Sequence, residues 1–209
     1  MTSSTSTSKG SRRETRRPRG VVRIVGGQWK RTRLTVVDVP GLRPTPDRVR
    51  ETLFNWLTHL FGGSVAGCSV LDLFAGTGAL GLEAASRGAE PVILVDRDPV
   101  VLEALRAIMD RLDASQISVR RGEAMAVARQ YIETGERFSI VFLDPPFGED
   151  WLTRLLPLAF DLCNSTGVIY AESESRLTPS ILADCGLELI RADKAGDVFY
   201  HLLRRTNNE

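Results

Sequence analysis

The residues best suited to chemistry are the consecutive Asp144-Pro145-Pro146-Phe147, which follow the apolar run 138–143. The Asp144 carboxylate and the Pro145 carbonyl are two hydrogen-bond acceptors on one short stretch of chain. Such a pair suits an exocyclic amine of a nucleic-acid base, a poor nucleophile because its lone pair is delocalised into the ring. Two acceptors aimed at its N–H bonds favour a pyramidal nitrogen whose lone pair can attack a carbon. Consecutive prolines fix the carbonyl and remove backbone N–H donors that would repel the amine. Phe147 offers a flat face for the base, worth about 1–3 kcal/mol in comparable stacking contacts. Catalysis at such a site rests on positioning and electrostatics, with no covalent enzyme intermediate. The bland alternative is a proline-stiffened loop whose aspartate caps the next helix. The motifs upstream favour the chemical reading.

The first of these is Leu71-Asp72-Leu73-Phe74-Ala75-Gly76-Thr77-Gly78-Ala79-Leu80-Gly81. Glycines after a strand let the backbone turn sharply and lie against a ligand. Asp96 stands twenty residues after Gly76, where a carboxylate can accept both hydroxyls of a ribose. Gly76, Gly78 and Gly81 satisfy G-x-G-x-x-G, which suits a nicotinamide dinucleotide equally well. Asp72 leans away from that reading, because ahead of the loop it can help bind a positively charged amino group. The chain also lacks a second substrate domain and a recognisable hydride-transfer histidine. S-adenosylmethionine needs no pyrophosphate cradle and tolerates the acidic lining. Further on, Glu123 and Ala124 follow Arg121-Gly122. Glu123 is placed either to reach an adenine amino group or to supply a favourable charge at a helix start.

Elements must bring these motifs together. Short, continuously apolar runs predict strands at about 69–73, 92–96, 117–119, 138–143, 167–172, 186–191 and 197–203, as expected of a sheet covered on both faces. Helices are predicted at about 78–87, 98–111, 123–132, 150–160 and 178–184. Alternating strands and helices call for a doubly wound, mostly parallel seven-stranded α/β sheet, with the last two strands forming an antiparallel hairpin. In that arrangement the glycine loop and Asp144 open into one crevice beyond the strand ends. Ahead of it, Val21–Val25 and Leu34–Val37 read as short strands around a Gly26-Gly27 turn. Val49, Leu53, Trp56, Leu57 and Leu60 then fall on one helix face, with Thr45 as its N-cap and Pro46 at its first position. Three segments follow: a disordered basic tail (1–20), a hairpin-plus-helix extension (21–62) and the sheet domain (63–209).

Charge is divided the same way. Residues 1–50 hold 13 Lys/Arg and 3 Asp/Glu, while the rest hold 14 and 23, so a net charge of +1 hides a basic arm on an acidic domain. A polyanionic partner and a merely solvated tail are both compatible with such a run. No apolar side chain lies between Met1 and Val21, which excludes a secretory signal and an amphipathic transit helix. No apolar stretch is long enough for a membrane span. The three scattered cysteines and two histidines show no metal-ligand spacing, so a reduced, cytoplasmic protein without metal is expected.

These motifs resemble the class I, Rossmann-like methyltransferases, and the tetrapeptide resembles their amino-methyltransferase motif (D/N/S)-P-P-(Y/F). Arg23-Ile24-Val25-Gly26-Gly27, the stretch Gly41 to Leu57, Phe74 to Ala84, and Tyr170-Ala171-Glu172-Ser173-Glu174 are similar to the bacterial 16S ribosomal RNA guanine-N2 methyltransferases. The likeness covers roughly residues 21–204. It implies methyl transfer from S-adenosylmethionine to the N2 amine of one guanine in a partly or fully assembled small ribosomal subunit, by a protein expected to be monomeric. It places Asp144, Pro145, Pro146 and Phe147 on the base. Asp72, Phe74, Gly76, Thr77, Gly78, Asp96, Glu123 and Ala124 fall on the cofactor. Glu123 departs from the Asn or Asp more usual in the family. Lys30, Arg31, Arg33, Arg43, Arg48 and Arg50 are candidate phosphate contacts, although some of the arginines near the helix start can instead pair with the domain's own carboxylates. Two rivals remain: a DNA amino-methyltransferase acting on adenine N6 or cytosine N4, for which the chain has no room for a target-recognition region, and a ribosome assembly factor that keeps the fold without the chemistry.

Overall fold

The computed structural model describes residues 22–34 and 45–206. The basic tail, residues 35–37 of the second short strand and Arg43 lie outside the described residues. In chain order the elements are β1 (Val22–Arg23), β2 (Arg33–Leu34), α1 (Asp47–Leu60), β3 (Val70–Asp72), α2 (Ala79–Ser86), β4 (Val92–Asp96) and α3 (Pro99–Leu112). There follow β5 (Ile117–Arg121), α4 (Ala124–Thr134), β6 (Phe138–Leu143), α5 (Trp151–Leu162), β7 (Cys163–Ser173), α6 (Pro179–Asp184), β8 (Leu187–Ala195) and β9 (Val198–Arg205).

Seven strands form one sheet in the order β5-β4-β3-β6-β7-β9-β8. β3 pairs in parallel with both β4 and β6, and β9 runs antiparallel between β7 and β8. From β3 the chain winds outward to β5 and then returns to β6 on the other side. The β3/β6 boundary is therefore the switch point, where the crossover connections diverge and leave a crevice beyond the strand ends. Both faces are covered, which is why β3, β4 and β6 carry nearly continuous apolar runs. On one face Leu53, Leu82 and Leu105 pack with Ile140, Phe142 and Tyr170. On the other, Ala128 and Leu155 pack with Val141 and Ile169.

Residues 22–34 and α1 share the first of these cores. Ile24, Leu53, Phe54 and Leu57 are fully buried with the sheet; each such side chain contributes about 1.5–3 kcal/mol on removal from water. The β1–β2 hairpin is fastened to the C-terminal end of α2. Gln28 N–H donates to the Ser86 carbonyl at 2.7 Å, and Ser86 Oγ donates to the Gly26 carbonyl at 2.6 Å. Gly27 adopts φ +74°, and a β-carbon there would lie 1.9 Å from the Ser86 carbonyl oxygen. Only glycine permits both the left-handed backbone and that approach.

Two expectations need correction. Helix α1 starts at Asp47, because Pro46 takes an extended ψ of 147°, and no side chain caps it. Thr45 is not the cap, since its hydroxyl is committed to Asp144. Arg50 is fully buried, so it does not reach a phosphate. Its guanidinium donates to Asp47 at 2.6 Å and to the Arg23 carbonyl at 2.7 Å. It also faces the buried Glu83 across 3.7 Å, too far for a hydrogen bond but an ion pair nonetheless. A buried charge of this kind needs such partners to persist. Element ends otherwise shift by a few residues. The largest are at the end of β8, which runs on to Ala195, and at the start of β7, which begins at Cys163, directly after α5, and breaks register with β6 between Phe138 and Ile140. Among the described residues no helix is long and apolar enough to cross a membrane.

Candidate active site

The switch point opens into a cleft of about 560 Å³. Its walls are the β3–α2 loop, the end of β4, the start of α4, the loop after β6, the N-terminal end of α1 and the tip of the β8–β9 hairpin. The structure brings Asp72, Phe74, Gly76, Thr77, Asp96, Glu123, Ala124 and the whole of Asp144–Phe147 to this one space. Gly78 is the exception. It is the left-handed residue (φ +76°) that turns the loop into α2, and a β-carbon there would meet Leu82 and Leu105 at 2.6 Å. Its role is to shape the loop.

Each acid is held by backbone donors. Asp72 is buried at the end of β3 and accepts from the Phe74 and Gly81 N–H groups at 3.3 and 3.2 Å. Burial raises its pKa from 3.8 to about 7, the two hydrogen bonds oppose the rise, and the Asp96 charge adds to it. Asp96 accepts from Gly76 N–H at 3.0 Å and Asp98 N–H at 2.9 Å. A carboxylate has about four acceptor sites, so capacity remains for ribose hydroxyls. Both Glu123 oxygens accept from the first turn of α4, from Met125 and Ala126 N–H. Of its two possible roles the helix start is the one these contacts show, although the residue also lines the cleft.

Deeper in, the β6–β7 register pairs Leu143 with Ala171, and β7–β9 pairs Glu172 with Tyr200. Asp144, Glu172 and Tyr200 therefore stand in one row across adjacent strands. Thr45 Oγ1 donates to Asp144 at 3.2 Å, and the Tyr170 hydroxyl donates to Glu172 at 2.7 Å. Burial holds the Asp144 carboxyl well above the usual carboxylate range; Glu172 and then Asp72 push it further, and the Thr45 bond pulls it back. Burial likewise raises Glu172, against the hydrogen bonds from Tyr170 and Thr45.

Seven carboxylates (Asp72, Asp96, Asp98, Glu123, Asp144, Glu172 and Asp197) line the cleft, against the single cation Arg97 among the described residues. This surplus suits a ligand carrying positive charge and opposes a pyrophosphate, so the residues present fit S-adenosylmethionine better than a nicotinamide dinucleotide. Trp151 Nε1 is a buried donor with no hydrogen-bond partner among the described residues, and its side chain lines the same cleft. An acceptor on a ligand would satisfy it. Trp151 and the Gly196-Asp197 tip were not singled out from sequence, Thr45 was read only as a helix cap, and Glu172 only as part of the stretch Tyr170 to Glu174. For Glu172 a signal existed: it is an acid at the carboxyl end of a buried parallel strand, where ligands of such sheets bind.

The candidate phosphate contacts divide. Lys30, Arg31 and Arg33 are exposed, on a hairpin docked at the far ends of α2 and α3; the Arg33 carbonyl accepts from Arg111 near the end of α3. At about 1.5 Å per residue this lies roughly 12–20 Å along those helices from the cleft. Arg48 is exposed on α1, close enough to Asp193 and Tyr200 of the β8–β9 hairpin to act on their charge states.

Comparison with known proteins gives a consistent picture. A family model described as conserved hypothetical protein 95 matches residues 22–204. The chain is 41% identical over 189 residues to the ribosomal RNA small subunit methyltransferase D of Escherichia coli K12, covering 89% of this chain and 91% of that one. Its counterpart in Haemophilus influenzae is 34% identical over 196 residues, covering 90% and 96%. Among solved structures, the Escherichia coli chain yhhF, described as a methyltransferase, matches with TM-score 0.75 at 38% identity, over 89% of this chain and 98% of that one. A Thermus thermophilus protein, TTHA0928, matches with TM-score 0.74 at 29% identity, over 88% and 99%.

Proposed function

The chain belongs to the conserved hypothetical protein 95 family, with the small-subunit ribosomal RNA methyltransferases among its relatives, and on that premise we propose that it methylates the N2 amine of a guanine in 16S ribosomal RNA. Its cofactor is S-adenosylmethionine. The observation that carries the reading is the opening of Asp144-Pro145-Pro146-Phe147 into the same acidic cleft as the glycine loop and Asp96. Bound there, S-adenosylmethionine supplies an electrophilic methyl group. Asp96 would hold the ribose, and Asp72 would supply negative charge for the positive end of the ligand. Asp144 and the Pro145 carbonyl accept the two N–H bonds of the amine and turn its lone pair toward the methyl carbon. Phe147, at the mouth of the cleft, supports the base. Forming the N–C bond would break the methyl–sulfur bond and leave S-adenosylhomocysteine, and the nitrogen, made acidic, would give up a proton for which Asp144 is positioned as the base.

The target base must be unstacked or already in a loop to reach a cleft this deep. The natural substrate is then the RNA within a partly or fully assembled small subunit, acted on in the cytoplasm by a monomer. The exposed basic residues of the β1–β2 hairpin and Arg48 would hold phosphates. The test is transfer of labelled methyl from S-adenosylmethionine to unmethylated small subunits, followed by nucleoside analysis. A single N2-methylguanosine is expected. Cofactor binding without transfer to subunits or free RNA, together with methylation of adenine or cytosine in DNA, would overturn it.

A further inference from the structure

We propose that Glu172 reads the N1–H of the target base and thereby makes the site specific for guanine; this rests on the guanine-N2 reading above. Glu172 is 5% exposed, lines the cleft and stands beside Asp144 in the same row of the sheet. Only one of its oxygens receives the Tyr170 hydroxyl, so the carboxylate keeps acceptor capacity toward the cleft. Thr45 donates its hydroxyl to Asp144 and lies close enough to Glu172 to lower its pKa as well.

The chemistry of the three amine-bearing bases then decides among them. In guanine the ring nitrogen next to the exocyclic amine is itself a donor, N1–H. In adenine (N1) and cytosine (N3) that neighbour is an acceptor. An amine held by Asp144 therefore places a second donor toward Glu172 when the base is guanine. It places a lone pair against a buried carboxylate when the base is adenine or cytosine. Leaving buried acceptors facing each other costs far more than losing a contact. Two donors arriving together also relieve the repulsion between neighbouring acids, which the Thr45 and Tyr170 hydroxyls only partly offset. The same row therefore both holds the amine and rejects the other amine-bearing bases.

The test uses small subunits reconstituted with RNA carrying either guanine or 2,6-diaminopurine at the target position. The analogue keeps the 2-amine but turns N1 into an acceptor. Wild-type protein is expected to methylate guanine at least about 100-fold faster, as one mismatched polar edge predicts. Glu172→Gln presents either a donor or an acceptor, so this ratio should fall to about tenfold or less, with S-adenosylmethionine affinity and melting temperature near wild type. Glu172→Asp, which keeps the charge, should lower the rate but preserve the preference; it also provides the comparison if the amide variant folds poorly. A wild-type enzyme that accepts both bases equally, or a Glu172→Gln protein whose two rates fall in parallel, overturns the inference and leaves guanine methylation standing. Methylation of adenine or cytosine instead of guanine overturns the guanine reading itself.

Discussion

Replacing Asp72 by Asn should stabilise the ligand-free protein at pH 8 and not at pH 4. The carboxyl is buried at 1% exposure and titrates near 7 in the folded chain, against an ordinary value of 3.8. A raised carboxyl pKa means that the folded state holds its proton longer than the unfolded chain. The associated stability is complete below about pH 4 and is lost progressively as pH rises to about 7. At about 1.4 kcal/mol per pH unit, that loss amounts to about 4 kcal/mol. Asparagine is neutral throughout and escapes it. Its single carbonyl oxygen, however, keeps only one of the two bonds from Phe74 and Gly81, at a cost of about 1 kcal/mol. The variant should therefore be about 3 kcal/mol more stable than wild type at pH 8 and slightly less stable at pH 4. Urea unfolding of both proteins at the two pH values, without ligand, measures the difference. A gap that does not change with pH would refute the burial of an ionisable Asp72. At pH 8 the same variant should bind S-adenosylmethionine at least about tenfold more weakly, since it lacks the charge that the folded state carries at such cost.

Three other outcomes follow. Asp144→Ala should cut methyl transfer at least about 100-fold while cofactor affinity stays within a few-fold, read by single-turnover transfer and calorimetry; unchanged turnover would remove Asp144 from the reaction. Gly27→Ala should cost about 3 kcal/mol in urea unfolding, because the added carbon meets the Ser86 carbonyl at 1.9 Å with φ at +74°; a cost under about 0.5 kcal/mol would mean that the hairpin is not clamped there. Replacing Lys30, Arg31 and Arg33 together by Ala should flatten the slope of log affinity against log salt by up to about 3 without changing the base modified. An unchanged slope in filter-binding would place the RNA elsewhere.

What the sequence made legible followed from local rules. Val92-Ile93-Leu94-Val95 is apolar because β4 is covered on both sides, and Gly76 and Gly78 mark a turn that only permissive backbones make. Asp144-Pro145-Pro146-Phe147 could be placed because it ends a strand, and strand ends in this topology share one crevice. Arg50 was misread from charge, grouped with Arg43 and Arg48 as a basic cluster. Periodicity held the contrary signal. Arg50, Leu53, Phe54 and Leu57 are spaced i, i+3, i+4 and i+7, a single buried helix face. An arginine on such a face requires an internal anion, and Glu83 supplies it from α2. Thr45 was misread for a different reason. Its neighbour Pro46 made it a plausible cap, but its partner is 99 residues away.

The acids around the base show where reading along the chain stops. Asp72 and Glu172 lie on β3 and β7, and Asp144 directly follows β6 between them, the three strands being separated in sequence by helices of different lengths. Only the parallel register, with Asp72 opposite Phe142 and Phe142 opposite Tyr170, puts them on the same face at the same end of the sheet. Alternation along β6 and β7 then turns Asp144 and Glu172 toward α1, where Thr45 bridges to the first of them. Clustered carboxylates raise one another's pKa and destabilise the folded chain. Natural sequences retain an arrangement of that cost where a ligand repays it. Here two kinds of ligand group do so: a positive charge opposite Asp72, and adjacent N–H donors opposite Asp144 and Glu172. A protein that kept this fold only as a binding scaffold would have no need of buried Asp72 and Glu172 on either side of Asp144 at the switch point. Their presence on one face, at one end of three neighbouring strands, therefore favours the catalytic reading over a non-catalytic assembly factor.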